Sequence, residues 1–128
     1  MAHMLDTSVA IHLRDGDPAV TAKVAALAGA VIMSVVTRVE LEGGVYREPA
    51  HSQVRRIRLD AMLAAIPVVA FDDGAAKTYG DIVASAGYSR RKLLDRMIAA
   101  QALIHRATLV TMNPSVFSDV PGLMIAAW

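Results

Sequence analysis

The sequence predicts an α/β fold, a three-layer α/β/α sandwich with helices on both faces of a short, mostly parallel sheet. Three observations carry that expectation. Short apolar runs at Met4-Leu5, Val31-Ile32-Met33, Val68-Val69 and Leu109-Val110-Thr111 alternate with longer stretches of helical periodicity, the order that parallel βαβ units require. The hydrophobic fraction is 55% while aromatic residues make up 5%, so aliphatic side chains must fill the interior, as buried parallel strands demand. A length of 128 residues supports one domain, residues 1–128, with a real core but no second one.

Taken in order, Met1-Ala2-His3 resembles a cloning remnant ahead of a start at Met4, and His3 is given no role. Met4-Leu5 is the first strand, closed by Asp6. Thr7 and Ser8 are good N-cap types and open a helix through Leu13. Asp17-Pro18 pairs a cap with a proline at the first helical position, and that helix runs to about Ala28 before Gly29. After the strand Val31–Met33, Thr37-Arg38-Val39-Glu40 fits a capping box and opens a helix through Val45. Pro49 interrupts the pattern. A helix from about Ser52 to Ala65 follows, with Val54, Ile57, Ala61, Met62 and Ala65 on one face. Pro67 to Ala70 is a strand, Asp72 or Asp73 caps a helix to Ala86, and Gly87 stops it. A basic loop, Tyr88 to Lys92, leads into a helix with Asp95 in its first turn. Asn113 follows the next strand, and Leu123–Ala126 is the last.

Composition excludes several function classes. Zero cysteines remove disulfides and thiolate metal sites. The longest run without a charge, Val24 to Thr37, has 14 residues, too few to span a bilayer, so a soluble, cytoplasmic protein is expected. A net charge of +1 gives no general attraction to polyanions, so nucleic-acid binding must use local clusters. No GxGxxG and no Gly-Lys-Ser/Thr phosphate loop occurs.

The functional argument is one of convergence. Asp6 ends the first strand, Glu40 lies about a turn beyond the second, Asp95 starts a helix and Asn113 exits a later strand. In an open parallel sheet all four belong at the carboxyl edge, where such folds place their sites. Carboxylates brought together raise one another's pKa, and a hard divalent cation, Mg2+ or Mn2+, relieves that conflict through oxygen ligands. Ser8 and Thr37 are candidates to orient Asp6 and Glu40. Arg90, Arg91 and Lys92 are candidates for phosphate contacts. Gly43 and Gly44, three and four residues beyond Glu40, leave space beside its carboxylate for substrate or a partner chain. Singly, each acid has an equally ordinary structural use: Asp6 as a cap, Glu40 as the arm of a capping box, Asp95 as compensation for a helix dipole.

The order and spacing of Leu5-Asp6-Thr7-Ser8, Ser34-Val35-Val36-Thr37-Arg38-Val39-Glu40-Leu41, Phe71-Asp72, Asp95-Arg96-Met97-Ile98-Ala99-Ala100, Leu109-Val110-Thr111-Met112-Asn113 and Val120-Pro121-Gly122-Leu123 resemble the PIN domain, most closely the VapC-type toxins of bacterial toxin–antitoxin pairs. The resemblance spans nearly the whole chain. It implies a Mg2+- or Mn2+-dependent endoribonuclease in which Asp6, Glu40 and Asp95 hold the metal and Asn113 supports the site. It implies in-line hydrolysis of a structured RNA, such as a transfer or ribosomal RNA loop, leaving a 5′-phosphate and a 3′-hydroxyl. A homodimer and a cognate VapB-type antitoxin are implied as well. One departure stands out: many relatives carry an acid just before the phenylalanine that is Phe117 here, and this chain has Val116. Its loss implies one firm metal position rather than two, with weaker metal affinity or a preference for manganese. The alternative function is therefore a catalytically weak or inactive PIN domain that binds RNA or antitoxin. A phosphohydrolase with Asp6 as nucleophile fits less well, because Ser8 stands where its second acid belongs.

Overall fold

The computed structural model describes all residues, 1–128. Five strands, β1 (Ala2–Leu5), β2 (Ala30–Ser34), β3 (Val68–Val69), β4 (Ala107–Thr111) and β5 (Ile125–Ala127), form one sheet in the order β3-β2-β1-β4-β5. Every pairing is parallel. The helices are α1 (Thr7–Arg14), α2 (Pro18–Ala25), α3 (Val35–Arg47), α4 (Ser52–Ala65), α5 (Asp73–Ala86) and α6 (Leu93–Ile104). No helix is long and apolar enough to cross a membrane.

Successive side chains on a strand point to opposite faces, and on β1 this alternation splits the interior in two. Met4 packs with Ile32, Leu109, Ile82 of α5 and Ile98 of α6. Its neighbour Leu5 packs with Met33, Val110, Val9 of α1, Leu41 of α3 and Leu59 of α4. Two cores therefore lie on the two faces of the sheet, which is the expected three-layer sandwich. Each buried aliphatic side chain of this kind contributes about 1.5–3 kcal/mol over its exposed form.

Local expectations hold where a single cap or turn decides them. Asp17 accepts from the Ala19 and Val20 amides ahead of α2, Asp72 accepts from Ala75 N at 2.9 Å, and Gly87 ends α5 with φ +88°. Four differ. The cap of α1 is Asp6 rather than Thr7 or Ser8. Ala2 and His3, given no part in the first strand, are paired strand residues with neighbours in β2 and β4. The capping box at Thr37-Glu40 does not form: α3 begins three residues earlier than that box requires, with Ser34 Oγ accepting from Val36 N at 2.9 Å. On α4 the buried positions are Leu59 and Met62, while Val54 and Ile57 are 51% and 64% exposed. Met62 holds to the expected face, but Leu59 takes the buried place expected of Val54 and Ile57 and packs in the core with Leu5 and Met33.

From β1 the chain moves outward to β2 and β3, then returns to place β4 on the other side of β1. The order reverses between β1 and β4, the position at which open α/β sheets leave a crevice at their carboxyl ends.

Candidate active site

Asp6, Glu40, Asp95 and Asn113 all line one cavity of about 270 Å³ at that crevice. Each arrives by a different route. Asp6 is the residue after β1, where its extended backbone (φ −67°, ψ 160°) caps α1. Its amide donates to Val110 O of β4 at 2.9 Å, so the sheet itself fixes its backbone. One carboxylate oxygen accepts from Thr7 N at 2.8 Å and the other from Thr111 Oγ1, also at 2.8 Å. Burial pushes the Asp6 carboxyl up from its ordinary value, and the hydrogen bonds from Thr111 and Thr7 pull against that rise.

Glu40 stands on α3 and accepts from Thr7 Oγ1 at 2.7 Å. The same hydroxyl lies 3.0 Å from Thr37 Oγ1, which is fully buried. A hydroxyl has one proton to give, so Thr37 donates to Thr7 and Thr7 donates to Glu40. Thr37 thus orients the acid only through Thr7, one residue removed from the expected contact. Ser8 does not touch Asp6 at all. Its Oγ is buried without a partner, although the residue is among those lining the acidic cavity.

Asp95 sits in the first turn of α6, and α6 is held by an interior polar clamp. Gln101 Nε2 donates to Val69 O and Ala70 O, while Ser34 Oγ donates to Gln101 Oε1. That clamp ties the helix bearing Asp95 to the cap of the helix bearing Glu40. The Asp95 carboxyl is raised by burial first, then by the negative charges of Asp6 and Glu40, with Lys92 opposing. The three acids therefore sense one another across the cavity. Even so, no three acidic or histidine side chains stand close enough together to grip one ion unaided. Asn113 is exposed at the exit of β4; its amide N–H donates to Thr111 Oγ1 at 3.0 Å and its Oδ1 accepts from Ser115 Oγ at 3.1 Å.

Val116, the departure from the family pattern, lines the cavity. Asp119 does not supply an acid there. Its Oδ2 takes Lys92 Nζ and Arg96 Nη2, both at 3.1 Å, and these cations hold its carboxyl below the ordinary value, Lys92 foremost. Lys92 is thereby committed to an ion pair, whereas Arg90 and Arg91 remain on the loop before α6 with no ion-pair partner. Three contributors were not foreseen from the sequence: Thr7, Thr111 and Arg96. Thr111 left one trace, a hydroxyl at the end of an otherwise apolar strand beside Asn113.

The donor set suits a hard divalent cation. Three carboxylates and the Asn113 amide are all oxygen-bearing groups at one cavity, with no thiolate or imidazole among them. Acids that share a space without touching also match an ion that keeps several of its waters.

Residues 3–123 match the family model of the PIN domain. A protein named ribonuclease VapC2, from Rickettsia felis, is 25% identical over an alignment covering all of this chain and 98% of that one. The crystal structure of VapBC2 from the same organism, bound to a DNA fragment from their promoter, superposes with a TM-score of 0.87 at 23% identity, covering 100% and 99% of the two chains. VapBC-5 from Mycobacterium tuberculosis, described as a member of the VapBC family of toxin–antitoxin systems, gives 0.74 at 25% identity over 99% of this chain and 98% of that one.

Proposed function

This chain belongs to the PIN-domain family, and from that premise we propose that it is a metal-dependent endoribonuclease toxin neutralised by a VapB-type antitoxin. The observation that carries the reading is the meeting of Asp6, Glu40, Asp95 and Asn113 from four separate segments at one cavity. The relatives add to it: one is named a ribonuclease, and another belongs to a toxin–antitoxin system.

In this reading Asp6, Glu40 and Asp95 would hold Mg2+ or Mn2+, directly or through water, with Asn113 beside them. Such an ion, when bound, activates water and neutralises charge on a phosphodiester under attack. The chain's own residues keep the donors in place. Thr7 N and Thr111 Oγ1 occupy both oxygens of Asp6, and the Thr37–Thr7 relay aims Glu40. Arg90 and Arg91 contact phosphates of the RNA backbone, a structured transfer or ribosomal RNA, while Lys92 stays with Asp119. The cut leaves a 5′-phosphate and a 3′-hydroxyl. We place the protein in the cytoplasm as a homodimer.

One observation favours a second reading, a weak or inactive domain that binds RNA or antitoxin: Val116 lines the cavity and Asp119 is pinned elsewhere. A ribonuclease assay in Mg2+, Mn2+ and EDTA, on wild type, Asp6→Asn and Asp95→Asn, separates the two. Metal-dependent cleavage lost in both variants supports the nuclease. Cleavage that survives both substitutions removes it, and no cleavage with either metal leaves the binding role.

A further inference from the structure

We infer that the loop between α5 and α6 grips an unpaired nucleotide beside the scissile bond, with Tyr88 stacking on its base; the inference deepens the ribonuclease reading above and rests on it. The loop, residues 87–92, stands on the rim of the acidic cavity. A Cβ added at Gly74, at the start of α5, would meet Ile104 Cδ1, at the end of α6, at 3.9 Å. The two helices therefore run antiparallel, and the turn joining them lies at the end of α6 that carries Asp95. From there Lys92 Nζ reaches Asp119 Oδ2 at 3.1 Å, just beyond the cavity-lining Phe117.

Tyr88 is 76% exposed, more than any other large apolar side chain except Met1, so it serves no core. Its surroundings are basic. Arg90 and Arg91 are exposed and form no ion pair, and the segment Tyr88 to Lys92 contains no acid of its own. Lys92 alone is neutralised, by Asp119. The loop is also braced: Lys92 N donates to Ser89 Oγ at 3.3 Å, and Leu93 N donates to Arg90 O at 3.2 Å. An aromatic ring and two unspent guanidinium groups are thus offered together by a fixed turn at the crevice. Unpaired RNA matches that combination. Its phosphates suit arginine, and a base freed from its partner stacks on an aromatic face whichever base it is. In a duplex both faces of each base are already stacked, so the loop selects single-stranded segments. A partner protein would also cover an exposed tyrosine. The two uncompensated arginines, beside the cavity where a phosphodiester is cut, favour RNA.

The test is fluorescence anisotropy in EDTA, which reads binding without cleavage, on a fluorescein-labelled single-stranded RNA of mixed sequence and a duplex RNA of equal length. Tyr88→Ala should weaken binding of the single strand at least about fivefold, with the slope of log affinity against log salt unchanged, and should leave the duplex alone. Tyr88→Phe keeps the ring and should match wild type. Arg90→Ala and Arg91→Ala together should weaken binding of both RNAs and flatten the salt slope by about one to two. These side chains are exposed, so the variants keep the fold. Wild-type affinity of Tyr88→Ala for the single strand overturns the stacking, as does an equal loss on the duplex or an equal loss in Tyr88→Phe. So does a wild type that binds neither RNA. A smaller gel-filtration mass for Tyr88→Ala, with RNA binding unchanged, gives the loop to a partner chain and also overturns it. The two readings can fail separately. Tyr88-dependent RNA binding with no cleavage in Mg2+ or Mn2+ keeps the loop's role and removes the nuclease, and cleavage with unchanged RNA binding in Tyr88→Ala does the reverse.

Discussion

Asp95 and Asp119 meet the same first turn of α6, and the chain treats their charges in opposite ways. Asp119 receives Lys92 and Arg96, one from each side of Asp95 in sequence, and its carboxyl is held below the ordinary range. Asp95 faces Asp6 and Glu40 across a cavity, and its carboxyl is held above it. Arg96 is buried, yet it turns away from its neighbour to bind Asp119 and Gly87 O. The fold thus supplies cations to the acid that closes a loop and withholds them from the acids at the crevice. A structural carboxylate is completed from within; the acids at the crevice are not.

The contrast breaks most readily at the crevice. Asp95→Asn should lower metal-dependent RNA cleavage at least ~100-fold, since even residues that only support a metal's ligands cost about 10–100-fold when removed. Initial rates with saturating Mg2+ or Mn2+ measure this, and a loss of less than about tenfold would take Asp95 out of the site. Thr111→Val, which keeps the shape but deletes the hydrogen bond to Asp6, should cost about 10–100-fold in the same assay and raise the metal concentration needed for half-maximal rate.

On the structural side, Arg96→Met should destabilise the protein by about 2–3 kcal/mol in urea unfolding, because Asp119 and Gly87 O then lose a buried charged donor. Cleavage should survive that change wherever the fold does. A loss of activity in folded Arg96→Met would mean that the two regions are not separable.

The smallest effects sharpen the contrast through their signs. The Asp95 carboxyl is raised in the fold, so its contribution to stability is complete below the ordinary aspartate value and disappears as pH climbs through the raised one. In EDTA near neutral pH, Asp95→Asn should therefore melt higher than wild type, and the gap should close on acidification toward the ordinary aspartate range. Asp119 is lowered, so its contribution is present above the ordinary value and fades as pH falls through the lowered one. Asp119→Asn should melt lower at neutral pH, with that deficit vanishing in acid. Added Mn2+ should lift the wild-type melting temperature and leave Asp95→Asn nearly unchanged. Equal signs for the two variants in EDTA would undo the comparison.

Much of this was legible in the chain itself. Alternating apolar runs and helical stripes set the element order and the parallel sheet, and caps such as Asp17-Pro18 and Asp72 marked helix starts, because each depends on residues within a turn of one another. Strand ends then placed Asp6 and Asn113 at one edge, with Glu40 and Asp95 carried there by the helices that follow. The tertiary structure alone decided the rest. Which hydroxyls hold Asp6 turned on a contact spanning 105 residues, Thr111 to Asp6, and Thr7 displaced Ser8 by its position against α3. The buried side of α4 kept Met62 from the expected stripe but took Leu59 in place of Val54 and Ile57. Lys92 and Arg96 chose Asp119 over the adjacent Asp95 because side-chain direction on a helix, and not distance along the chain, determines which charges meet.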